Sequence, residues 1–106
     1  MVVKKGEIQL SAPLSEAYRR SAQALNVIGG EVKAGDPASG KMEGTISMSF
    51  VSWGENILIE VTGLDNRALV RITSSSRLPT TLFDFGKNAR NVRRFLDWLT
   101  ASAVAG

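Results

Sequence analysis

The sequence predicts a small α+β fold, an antiparallel sheet of about five strands with two helices laid across one face, in the order β-α-β-β-β-β-α. Three observations predict it. Leu14 to Ile28 and Phe85 to Leu99 each repeat apolar residues at helical spacing on one face only. Lys41 to Ser76 holds runs in which apolar and polar residues alternate, as in half-buried strands. The gaps between those runs are turns too short for the crossovers that parallel neighbours need.

Gly6 to Leu10 reads as a short first strand. Ser11-Ala12-Pro13 then fits a helix entry, with Ser11 as N-cap and Pro13 within the first turn. At about 100° per residue, Leu14, Tyr18, Ala22, Leu25 and Ile28 share one stripe, while Arg19, Arg20, Gln23 and Asn26 face away. Gly29-Gly30 supplies the left-handed backbone on which helices commonly end. Glu31 to Ala34 forms a strand that stops at the turn-rich Asp36-Pro37-Ala38-Ser39-Gly40.

Met42, Gly44, Ile46, Met48 and Phe50 then fall on one side of a strand, opposite Lys41, Glu43, Thr45, Ser47 and Ser49. Trp53-Gly54-Glu55-Asn56 reads as a turn. Ile57, Ile59 and Val61 continue the inward face, Gly63-Leu64-Asp65-Asn66 turns again, and Ala68, Val70, Ile72 and Ser74 point inward from the last strand. In the final helix Phe85, Ala89, Val92, Phe95, Leu96 and Leu99 make the buried stripe, with Lys87, Arg90, Arg93 and Arg94 on the reverse side. No repeat, low-complexity tract or linker divides the chain, so residues 1–106 read as a single domain.

A chain of 106 residues with 43% apolar content can close one core without staples. Cys and His are both absent, which removes thiolate nucleophiles, zinc-thiolate sites, the usual general base at neutral pH and the commonest metal ligand. No cofactor or metal is expected. Ser74, Ser75 and Ser76 have no histidine partner, Glu43, Glu55 and Glu60 read as solvated charges on the polar side of strands, and the glycines match no phosphate-loop spacing. The chain as it stands reads as cytoplasmic, with no signal segment and no stretch of roughly 18 apolar residues to span a membrane; an exported or membrane-associated protein is expected if a leader has been removed.

The most informative stretch is Ser74 to Leu96, where a strand ends in Ser-Arg and a helix opens with Asp84-Phe85-Gly86-Lys87-Asn88. Asn88 falls roughly 40° from the centre of the apolar stripe, flanked by Val92 and Phe95, so its amide is expected to be buried and to find Ser74, Ser76 or nearby backbone as partners. Asp84 is the natural N-cap, Arg77 is placed to pair with it, and Gly86 allows close backbone approach at the first turn. Arg77, Lys87, Arg90, Arg93 and Arg94 stand against Asp84 alone in this region, although the whole chain carries only +3.

These residues carry a resemblance. Val70-Arg71-Ile72 through Ser76-Arg77, then Asp84-Phe85-Gly86-Lys87-Asn88, Arg90, Arg93 and Phe95-Leu96 resemble the ending of the DUF1499 family of uncharacterised bacterial proteins. The likeness covers the last third of the chain. It departs at Leu78-Pro79, where that family tends to have glycine, and in the longer loop from Arg77 to Asp84. It implies a shared domain, in relatives often membrane-associated or exported, more than an activity. The element order is also similar to that of TBP-like domains.

Four functional classes follow from the residues. The leading one is a noncatalytic interaction or scaffold module, meeting a protein partner or a second copy of itself through the outer sheet face at Leu58, Leu69 and Val51, with Trp53 at its rim. A second is anion or small-ligand binding at the start of the last helix, where Arg77, Lys87 and Arg90 surround free N–H groups and Asp84 competes for them. A third is weak nucleic-acid binding through Lys41, Arg67 and Arg71 on the outer face, which lacks interleaved aromatic residues. Catalysis is the last, with Tyr18, the serines, the lysines and the carboxylates as the remaining candidates, and no spacing that brings Lys87 to the serines.

Overall fold

The computed structural model describes residues 2–47, 53–78 and 83–105. Strands β1 (Val3–Leu10), β2 (Gly30–Asp36), β3 (Lys41–Ile46), β4 (Glu55–Leu64) and β5 (Arg67–Ser76) combine with helices α1 (Leu14–Val27) and α2 (Lys87–Ala105) in the order β1-α1-β2-β3-β4-β5-α2. Every pairing is antiparallel, and the order across the sheet is β1-β5-β4-β3-β2. The last four strands are a meander. Helix α1 carries the chain from one edge to the other, and α2 returns over β1 and β5. The predicted α+β architecture, with both helices on one side of the sheet, is the one observed.

Strand alternation sets the inner face. Met42, Gly44 and Ile46 of β3, Ile57, Ile59 and Val61 of β4, and Ala68, Val70, Ile72 and Ser74 of β5 are all buried. Their neighbours Glu43, Glu60 and Arg71 face solvent, and Arg71 pairs with Glu7 across the outer face at 3.0 Å. Residues with two unlike sides thus define both the layer and the register. Met48, Phe50, Val51 and Pro79 lie outside the described residues.

The helices meet the sheet differently from the expected stripes. In α1 the fully buried positions are Ala17, Ser21, Ala24 and Leu25, while Leu14, Tyr18 and Ala22 are half-buried at the side. Small residues at the contact let the helix axis come close to the sheet, and Ser21 is satisfied locally by donating to the Ala17 carbonyl at 2.8 Å. Pro13, not Ser11, stands at the N-cap, with φ −70° and ψ 167° and no side-chain cap. The chain bends at Ser11 and the buried Ala12 before Pro13, which leaves Ser11 two residues short of the helix entry. Both edge strands are longer than predicted, because pairing with β5 and β3 continues beyond the residues whose pattern was visible.

Phe85 and Ala89 do not belong to the buried stripe of α2; both are exposed, and Phe85 precedes the helix with a positive φ of 55°. The stripe runs instead through Asn88, Asn91, Val92, Phe95 and Leu99. It is polar at the helix start and apolar beyond. Glu55 is the other correction: it begins β4 in phase with Ile57, Ile59 and Val61, and is buried rather than solvated in a turn.

Candidate functional site

The start of α2 sits over the ends of β1, β4 and β5. The Ser76 N–H donates to the Val2 carbonyl at 3.0 Å and the Arg77 N–H to the Gly54 carbonyl at 3.0 Å, so three strand ends are tied together beneath the helix. Asn88 hangs from the helix into this junction. The Ser74 hydroxyl donates to Asn88 Oδ1 at 2.6 Å, and Asn88 Nδ2 donates to Ser76 Oγ at 3.1 Å and to Asp84 Oδ2 at 2.8 Å. Ser74, Ser76 and Asn88 are all buried, as a fully partnered amide in a low-dielectric interior requires.

Asp84 organises the helix entry from outside the helix. Its carboxylate accepts the N–H of Gly86 at 2.9 Å and that of Asn88 at 3.0 Å, while the Gly86 carbonyl accepts the first helical bond from Arg90 at 2.9 Å. Burial pushes this carboxyl up, and the hydrogen bonds from the Asn88 backbone, the Asn88 amide and the Gly86 backbone outweigh it, holding the group below its ordinary range. Gly86 is needed for its φ of 75°, not for close approach, since a Cβ there would meet nothing within 4 Å. Arg77 forms no ion pair with Asp84. It is exposed, as is Arg90 on the outer side of the helix.

Two members of the junction escaped the sequence reading. Asn91 Nδ2 donates to Glu55 Oε1 at 2.8 Å and to Ser74 Oγ at 3.3 Å, joining a buried carboxylate to the Asn88 cluster. Asn91 Oδ1 is buried without a hydrogen-bond partner. Both residues had a signal: Glu55 is in register with the inward residues of β4, and Asn91 lies three residues after Asn88 and four before Phe95 on one stripe.

Polar groups turned inward are matched by apolar groups turned outward. Trp53, Phe83 and Phe85 are 64%, 69% and 65% exposed, and Val3 and Leu78 are exposed beside them in the chain segments that meet here. Phe83 and Phe85 touch edge to face at 4.7 Å. Leu58 and Leu69, expected to form the contact surface on the outer face, are half-buried among polar neighbours. Tyr18 donates to the Lys41 carbonyl at 3.2 Å on the opposite side of the molecule, and burial followed by the charge of Asp36 raises its hydroxyl above the ordinary tyrosine range.

Among the described residues no group of three or more carboxylates is gathered that could hold a metal ion, and no helix is long and apolar enough to cross a membrane. A groove of about 350 Å³ runs between β1 and α2, floored by Val92 and Leu96 and edged by Lys4, Lys5 and Arg93.

No protein-family model matches the chain, and no curated protein does. Solved structures do match its shape. An uncharacterised protein from Bacillus thuringiensis superposes with a TM-score of 0.71 at 7% identity, covering 97% of this chain and 99% of that one. A START-superfamily protein from Mycobacterium smegmatis gives 0.66 at 8% identity, with 97% of each chain covered. The Zhui aromatase/cyclase from Streptomyces gives 0.65 at 12% identity over 96% of this chain and 93% of that one. The fold is therefore of the helix-grip class, a curved antiparallel sheet gripped by a long C-terminal helix.

Proposed function

We propose that this chain is a noncatalytic interaction module that meets its partner through the end of the sheet where α2 begins. One observation carries the reading: three aromatic side chains, Trp53, Phe83 and Phe85, stand exposed at the end of the sheet whose inner side is the buried polar junction. Exposing large apolar groups together is unfavourable in a protein that meets nothing there.

Two other readings have less behind them. An anion at the helix start would compete with Asp84 for the N–H groups of Gly86 and Asn88. Nucleic acid on the outer face would find Arg71 already engaged by Glu7 and no aromatic platform among the described residues.

A photo-crosslinking amino acid placed at Phe85, and as a control at the exposed Thr62 of the opposite end, tests the proposal in the native cell. Adducts to protein or lipid are expected from position 85 and not from position 62. Equal labelling at the two positions, or none at either, would remove the reading.

A further inference from the structure

We infer that the partner at this end is an anionic lipid surface, an inference that rests on the interaction reading above and specifies its partner. Four exposed apolar side chains, Trp53, Leu78, Phe83 and Phe85, share this end with the cations Lys4, Arg77, Lys87 and Arg90. Of the carboxylates in the same region, Glu55 is 1% exposed and accepts from Asn91, and the partly buried Asp84 uses both of its oxygens to accept three N–H groups. Glu31, at the far edge, is paired with Lys33 at 3.3 Å. The surface left to meet a partner is aromatic and positive.

That combination fits the boundary between lipid headgroups and acyl chains, where aromatic rings insert and basic groups stay at the phosphates. Phe85 adds an independent indication. Its φ of 55° is a conformation that bulky residues avoid, and the Asp84 carboxylate before it accepts the N–H groups of Gly86 and Asn88 after it, so the strained turn is bridged while the phenyl ring stays 65% exposed. An acidic protein would satisfy the cations equally. It would not call for three rings on two chain segments, each about two-thirds exposed.

Sedimentation with phosphatidylcholine vesicles, and with phosphatidylcholine–phosphatidylserine vesicles of equal size, tests the inference. A Trp98→Phe background makes Trp53 the reporting fluorophore. Binding is expected only to the anionic vesicles, with a blue shift of Trp53 emission and quenching by brominated lipid. Phe83→Ala with Phe85→Ala should weaken partition about tenfold, and Arg77→Gln with Arg90→Gln by a similar factor that vanishes at high salt. Leu64→Ala, an exposed apolar residue at the opposite end, should change nothing while all variants keep the wild-type circular dichroism. Absence of binding to either vesicle at low salt, or equal loss in the Leu64→Ala protein, overturns the lipid assignment. If position 85 then still crosslinks to a protein, the interaction reading stands without it; if it crosslinks to nothing, both fall.

Discussion

The two ends of the sheet are built with opposite polarity. At the end bearing Leu10, Ala68 and Val61, apolar side chains point inward and are buried, while the β4–β5 turn at Asp65-Asn66 is polar and exposed. At the end bearing Glu55, Ser76 and Asn88, polar side chains point inward and aromatic ones outward. The first end is what burial alone would select. The second carries the cost of burying polar groups, all but Asn91 Oδ1 partnered, and gains nothing from its outward rings in water. Mutations should separate the two.

The largest effect is expected at the apolar end. Gly40 has a φ of 82°, its carbonyl accepts the Val61 N–H at 2.8 Å, and a Cβ there would lie 2.0 Å from the Val61 carbonyl oxygen. Gly40→Ala combines left-handed strain with a backbone clash that no rotamer can relieve, and should cost about 3 to 4 kcal/mol. Urea denaturation measures it. A loss below about 1 kcal/mol would mean that this end can loosen, which would weaken the contrast.

The next test lies inside the polar end and compares its two asparagines. Asn88→Ala leaves Ser74, Ser76 and the Asp84 carboxylate each short of a partner, and should cost about 2 to 3 kcal/mol. Asn91→Ala removes a donor to Glu55 but also removes the buried Oδ1 that has no partner, so the two changes offset and about 1 kcal/mol is expected. Equal losses in the two variants would show that the network acts as one unit rather than through countable bonds.

This division explains what could be read from the sequence. Strands with one apolar side, such as Ile57-Ile59-Val61, declare their layer, register and neighbours through alternation alone. The same logic placed Asn88 opposite Ser74 and Ser76, since a polar residue on an apolar stripe must find partners at the nearest strand end. Residue identity misleads where it conflicts with phase. The charge of Glu55 points to solvent although its register is inward, and the ring of Phe85 points to the core although it precedes the helix at a positive φ. Ala17, Ser21 and Ala24 give a weak apolar signal because they are small, although they are among the fully buried residues of α1.

The smallest effect concerns Asp84, and its sign distinguishes a structural carboxylate from one free to serve a ligand. Its folded-state pKa lies below the ordinary aspartate value of 3.8, because its three N–H donors favour the charged form more than burial opposes it. The stability it contributes is complete above that value and is lost as pH falls through the lower folded-state value. Asp84→Asn should abolish this part of the acid limb while leaving the contribution of Glu16, held low by Arg19 and Arg20, common to both proteins. The stability difference between wild type and variant should then be constant from neutral pH down to about the ordinary carboxylate range and shrink below it. Parallel acid limbs would mean that the carboxylate is not held by the helix start. In that case the N–H groups of Gly86 and Asn88 would be open to an outside anion, and the balance between the two readings of this end would shift.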